Sequence, residues 1–142
     1  MKLVKVLSVF ALSSLIFNSC STAGTSASIL NTKKSTLYNT TWKLLEDDEI
    51  VKGFNNNDVF LTIDADEFKV SGYAGCNNFT TTAELNNNNI TFGNIASTQM
   101  LCPNSKTEDS FLHVLDDVNR YEIKGNELYF YKGNMLLLKF KH

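Results

Sequence analysis

The chain has 142 residues, with 13 Lys and Arg against 15 Asp and Glu and a formal charge of −2. Its positive charge is scattered, with no basic cluster beyond Lys33-Lys34, whereas nucleic-acid binding needs concentrated positive charge to displace counterions. The length fits one domain that can bury a single modest core.

The chain begins with the short basic stretch Met1-Lys2-Leu3-Val4-Lys5, followed from Val6 to Phe17 by an apolar run broken only by serines. That run is shorter than the about 20 apolar residues that span a bilayer, and with Asn18-Ser19-Cys20 behind it the pattern is that of a secretory signal. Leu15-Ile16-Phe17-Asn18-Ser19-Cys20 resembles a bacterial lipobox, in which the cysteine sulfur is alkylated with diacylglycerol and becomes the new N-terminus. Residues 1–19 are therefore expected to be a signal peptide and Cys20 a lipidation site that ties the protein to a membrane. One acyl chain binds reversibly and stable anchoring takes two signals, so a multiply acylated Cys20 would hold the domain durably. Ser21 directly after it is compatible with sorting to the outer membrane of a bacterial envelope. Removal of residues 1–19 takes Lys2 and Lys5 and moves the formal charge from −2 to −4. Residues 20–38, rich in Ser, Thr, Ala and Asn, are expected to form a flexible tether, and the folded domain is expected over 39–142.

Within the domain, Thr41 to Leu45 is expected as a strand with Trp42 and Leu44 on one face, and Glu46-Asp47-Asp48-Glu49 as a solvated loop. Val59 to Ile63 follows as a second strand. Asp64-Ala65-Asp66 turns the chain into a third, Glu67 to Ser71, with Phe68 and Val70 inward. Asn78 to Leu85 and Ile90 to Phe92 continue the pattern. The runs Asn55-Asn56-Asn57 and Asn86 to Asn89 are expected to be turns, because Asn tolerates left-handed backbone and makes Asx turns. Ser105-Lys106-Thr107-Glu108 has the form of a capping box, and the stripe Phe111, Leu115, Val118 predicts an amphipathic helix of about three turns. Three further strands, Tyr121 to Ile123, Leu128 to Tyr131 and Met135 to Phe140, are joined by Gly125-Asn126 and Gly133-Asn134, a strong hairpin signal. The fold class is mainly β with one helix, an α+β arrangement. A small antiparallel, highly curved sheet or partly open barrel of about eight strands would pack against the helix, with a sandwich as the other option.

In an exported chain the even pair Cys76 and Cys102 reads as a disulfide, which in the chain-entropy model would stabilise by roughly 3–4 kcal/mol. Two buried free thiols and metal ligation are the rivals. The only histidines are His113 and His142, and no CxxC or HxxxH spacing occurs, so no metal site is assigned. Gly72 and Gly75 bracket a place where the backbone must bend or approach another strand closely. A bulge that aims Cys76 at its partner is the simpler reading, with a ligand cradle as the functional one. Asn77 is expected to bond nearby backbone groups.

These residues together resemble the META domain of the HslJ-like lipoprotein family. The resemblance runs from about Thr41 to Phe140. It rests on Trp42, on Gly72-Tyr73-Ala74-Gly75-Cys76-Asn77-Asn78-Phe79, and on Phe92-Gly93-Asn94-Ile95-Ala96-Ser97-Thr98-Gln99-Met100-Leu101-Cys102, followed by the helix and closing hairpins. It marks Gly72, Gly75, Asn77 and Thr98 as structural motif positions and the cysteines as a disulfide. It implies a small barrel-like fold, an envelope location, and relatives connected with heat-shock induction, antibiotic tolerance or secretion-linked virulence. Gln99 departs from the pattern, since members commonly carry a basic residue there. No enzymatic activity is firmly associated with the family, so no catalytic residue and no cofactor is carried over.

An enzyme would need a nucleophile, a base and an orienting group. His113 lies off the apolar stripe of its helix, and the carboxylates fall at predicted turns or on a polar helix face. The expectation is a non-enzymatic envelope protein that binds a protein partner, with Tyr129 and Tyr131 as candidate exposed aromatics. The alternatives are a carrier of a small apolar ligand in the barrel interior and an inhibitor of a secreted hydrolase.

Overall fold

The computed structural model describes residues 36–142; the expected signal segment, Cys20 and the tether up to residue 35 lie outside the described residues. Ten strands and one helix follow in order: β1 (Trp42–Glu46), β2 (Glu49–Ile50), β3 (Phe60–Ile63), β4 (Lys69–Tyr73), β5 (Asn78–Asn86), β6 (Asn89–Phe92), β7 (Ala96–Ser97), α1 (Lys106–Asp116), β8 (Arg120–Lys124), β9 (Glu127–Lys132) and β10 (Met135–Lys141).

Eight of these strands form a ring in the order β1-β3-β4-β5-β6-β8-β9-β10. The ring closes where β10 pairs antiparallel with β1, Leu44 opposite Phe140 and Lys43 opposite Lys141. The short β2 and β7 are additions on β1 and β5. The expected curved sheet of about eight strands is thus a closed antiparallel barrel, and closure removes the exposed edges that an open sheet would present. The thinnest seam is β6–β8, where only Asn89 and Arg120 pair within the strands. Backbone bonds from Ile90 N to Asn119 O (3.2 Å) and from Tyr121 N to Asn88 O (2.8 Å) extend it.

Alternation along each strand decides what faces inward. In β5, Phe79, Thr81 and Ala83 are buried while Thr80, Thr82 and Glu84 are exposed. Thr81 is tolerated inside because its hydroxyl donates to the Gly93 carbonyl at 2.8 Å. Leu128 and Phe130 point inward from β9, and Phe140 from β10. The barrel centre is occupied by rings in edge-to-face contact: Phe92 on Phe130 at 5.5 Å and Phe130 on Phe140 at 5.3 Å. Helix α1 drives Phe111 into the same cluster, against Phe79 at 5.6 Å and Phe140 at 6.3 Å. With Leu115 and Val118 it plugs the barrel rather than lying on its outside. Each such side chain withdrawn from water contributes about 1.5–3 kcal/mol.

Three expectations change. Phe68 is exposed, not inward: it sits before β4 in the turn with φ 51°, where strand alternation has not begun, and its ring meets Tyr38 edge-on at 6.1 Å. The acidic run is a tight hairpin between β1 and β2, with Asp47 and Asp48 both at positive φ. The folded body also reaches back to Leu37, two residues before the expected boundary at 39. Leu37 is buried, its carbonyl accepts from Trp42 Nε1 at 3.1 Å, and Tyr38 bridges to Ile63.

The outer face of β8–β10 carries Tyr129 and Tyr131, stacked on each other. They are not a bare aromatic patch. The Arg120 guanidinium lies 4.0 Å above the Tyr131 ring and Lys124 5.2 Å from that of Tyr129. The same two cations flank Glu122, at 2.5 Å from Arg120 and 2.7 Å from Lys124. Lys124 first, then Arg120, hold the Glu122 carboxyl down at about 2 from an ordinary 4.5. A depressed folded value gives stability that is complete above the unfolded pKa and is lost as pH falls through the folded one. Glu122→Gln should therefore flatten the loss of urea stability between pH 4.5 and about 2. An acid limb identical to that of the unsubstituted protein would show that these partly exposed pairs contribute nothing.

Candidate functional site

Between β4 and β5 the chain makes a sharp turn at Ala74-Gly75-Cys76-Asn77. Gly72 must be glycine because a Cβ there would stand 2.0 Å from the Phe60 carbonyl oxygen. Gly75 takes φ +122°, a conformation that L side chains rarely adopt. Gly72 therefore serves close backbone approach and Gly75 the bend, the two roles that the sequence leaves open for this pair. The turn delivers Cys76 to Cys102, and the two form a disulfide with Cα atoms 6.0 Å apart across 26 residues of sequence.

Asn77 contacts its neighbour Cys76 at the sulfur, at 3.4 Å, but its other side-chain bonds reach across the fold rather than to the nearby backbone groups expected. Its side-chain oxygen accepts from Met100 N at 2.7 Å and from Thr98 Oγ1 at 2.8 Å. Its amide nitrogen donates to Met100 O at 3.2 Å and to Glu108 Oε1 at 3.1 Å. The side chain is a planar donor–acceptor pair, and Met100 presents its N–H and C=O to it as a neighbouring strand would. Thr98 thereby gains its role as a clamp on the Asn77 oxygen.

Glu108 has a different role from the one its spacing suggests. No side-chain bond caps the helix at Ser105; the Ser105 hydroxyl bonds Asp109 instead. Glu108 is buried, and its Oε2 accepts from Asn77 N at 2.5 Å and Cys76 N at 3.2 Å. The turn leaves two amide donors inside the protein, and the helix supplies one carboxylate to satisfy both. In sequence alone, Glu108 is indistinguishable from a capping-box glutamate; only the 31 residues of separation from Asn77, bridged by the fold, show its partner.

The result is a loop fixed at both ends of its apex. Met100 is held through its N–H and its C=O, and Cys102 through its sulfur. Leu101 between them is 99% exposed and Met100 52% exposed. Phe54, also exposed, belongs to the 3₁₀ turn Phe54–Asn56, and its N–H donates to Gly75 O at 2.6 Å. The Phe54 turn and the 98–102 loop are thus tied to adjacent residues, Gly75 and Cys76. Three large apolar side chains are displayed at one end of the barrel.

His113 is exposed on α1, and Ser110 is exposed on the same helix. Among the described residues no group of three or more His, Cys, Asp or Glu could hold a metal ion. A groove of about 370 Å³ with mixed lining lies between α1 and the β1–β10 seam, with Leu44, Val51 and Leu138 on one side and Lys106, Thr107 and Ser110 on the other.

Replacing Asn77 by Asp tests the network with a defined sign. The new carboxylate would face Glu108 in place of an amide donor, so the variant should lose about 2 kcal/mol or more at pH 7. Because the like-charged pair is relieved by a proton, part of that loss should return as pH falls toward about 5, the reverse of the ordinary acid trend. Urea melts of Asn77→Asp and Asn77→Ala at both pH values check this; equal pH dependence in the two variants would place the Glu108 carboxylate elsewhere.

The META domain family matches residues 35–142. No curated protein matches the chain. Among solved structures, the barrel is similar to an NMR structure of a protein from Burkholderia xenovorans, with a TM-score of 0.57 and 20% identity over 74% of this chain and 82% of that one. It is also similar to a second NMR structure, with a TM-score of 0.56 and 18% identity over 80% of this chain and 95% of that one. At such identities the likeness concerns the fold alone. A barrel that holds its paired-cysteine segments in the order read from the sequence, together with a family match spanning every described residue, makes this chain a member of the META domain family.

Proposed function

We propose that this is a lipid-anchored, non-enzymatic protein of the bacterial cell envelope, sorted to the outer membrane, that acts by binding a protein partner through the Met100-Leu101 tip. The observation that carries the binding reading is the exposure of Leu101 on a loop whose flanking residues are both fixed. An apolar side chain left in water on a mobile loop needs no explanation. One held in place by a disulfide and by three hydrogen bonds between the loop and the side chain of a buried asparagine is pre-organised for contact, which lowers the entropy lost on binding. Exposed Phe54, on a turn tied to the adjacent Gly75, adds apolar surface at the same end of the barrel.

A role in envelope stress or antibiotic tolerance accords with the family, and the anchor rests on Cys20, which lies outside the described residues. The filled barrel centre weighs against an apolar ligand carried inside. Tyr129 and Tyr131, roofed by cations, are poorer candidates for the interface than the tip.

Two measurements test the proposal. A photo-crosslinking residue at the exposed position 99 in intact cells should give a discrete protein adduct, and Leu101→Asp should reduce it about tenfold or more, as expected for loss of an apolar anchor. An adduct of unchanged yield would remove the tip from the interface. Cys20→Ala should move the protein from the membrane fraction to the soluble fraction with its thermal transition unchanged; retention on the membrane would contradict the anchor.

A further inference from the structure

The outer wall of β1, β3 and β4 carries a second feature, distinct from the apolar tip: an open groove of about 600 Å³, within the size range of small-ligand sites. Phe60 and Tyr73, cross-strand partners on β3 and β4, supply its aromatic surface. Thr41, Asn56, Asn57 and Asn78 stand around them. None of these four side chains makes a hydrogen bond within the described residues. They offer three amides, each donor and acceptor at once, and one hydroxyl.

The groove is built rather than fluid. The Tyr73 hydroxyl donates its one hydrogen to Gly75 O at 2.8 Å, with Phe54 O also within reach at 3.2 Å, which fixes its ring. The loop that carries Asn56 and Asn57 is closed by Gly53 N to Asn57 O at 2.8 Å and Asn57 N to Phe54 O at 3.3 Å. Asn55 and Asn56 both hold positive φ within it. The charges that line the groove, Lys43 and Asp58, pair with each other at 2.8 Å, and Lys52 also bonds Asp58. These lysines, Lys43 first, hold the Asp58 carboxyl below the usual carboxylate range. The groove lining therefore presents no unpaired cation to an anion and no unpaired carboxylate to a cation.

We propose that this groove binds a neutral oligosaccharide. A pyranose has an apolar face of C–H groups and a rim of hydroxyls that both donate and accept. Aromatic rings flanked by uncommitted amides and a hydroxyl match those two surfaces, and a self-neutralised ion pair matches the absence of charge. A peptide strand fits less well, because β1, β3 and β4, the strands of the wall, are each paired on both sides within the ring.

The test is titration of the full-length chain in detergent with chitotetraose, cellotetraose and maltotetraose, and with tetragalacturonate as the charged counterpart, followed by amide shifts in ¹⁵N–¹H spectra. At least one neutral tetrasaccharide should shift Asn57, Phe60, Tyr73 and Asn78 saturably while Asn88 and Gly133 stay still. Phe60→Ala should raise the dissociation constant about tenfold and Asn78→Ala about threefold, with distant amides unmoved to show an intact fold. The proposal is overturned if no neutral tetrasaccharide moves the groove amides at millimolar concentration. It is equally overturned if both variants bind as the unsubstituted protein does, or if tetragalacturonate binds more tightly than every neutral sugar.

Discussion

One buried contact organises this molecule beyond its barrel: the carboxylate of Glu108 on the amides of Cys76 and Asn77. The β4–β5 turn must bring Cys76 inward, and in doing so it strips two backbone N–H groups of water. A buried donor without a partner costs about 1–3 kcal/mol. The helix supplies the missing acceptor, so helix, turn and disulfide are fixed together. Asn77, held in place by that carboxylate, then grips Met100 by both backbone groups. From there the shape of the 98–102 loop follows.

This arrangement explains how a small domain can display apolar side chains without leaving them loose. The barrel buries its aromatic residues in one cluster with α1 as a plug. Polar contacts outside that cluster do a different job: they set the direction of a few exposed groups. At the tip these groups are Met100 and Leu101. On the wall of β1, β3 and β4 they are Tyr73 and the asparagines of the Phe54 turn, again fixed through Gly75. Both candidate binding surfaces therefore hang on the same short segment of chain, Gly75 to Asn77, although their chemistry differs.

Much of the fold was legible in the sequence because period-2 alternation and Gly-Asn turns are local signals. β1, β5 and β9 carry their inward residues at the expected spacing, and the Phe111 and Leu115 stripe placed the helix face correctly. Phe68 was misread because alternation cannot locate the first residue of a strand, and a bulky residue at positive φ breaks no visible pattern. Ring closure through β1 and β10 was not legible, since the pairing joins the two ends of the domain. The site was half legible. Two glycines and two cysteines announce backbone approach and covalent closure. The partners of Asn77 and Glu108 stand 23 and 31 residues away, and no local pattern reports such distances. Glu108 was hidden further by lying at the third position after a serine, where a helix-start signal gives a sufficient local explanation for it.

Backbone ¹⁵N relaxation of the oxidised protein tests the central claim most directly. If the Glu108–Asn77 contact and the disulfide fix the loop, the Met100 and Leu101 amides should show order parameters of about 0.85, equal to those of the barrel strands, and Glu108→Ala should lower them below about 0.6. Values below about 0.6 at Met100 and Leu101 in the unsubstituted protein, or rigid values that survive Glu108→Ala, would contradict it.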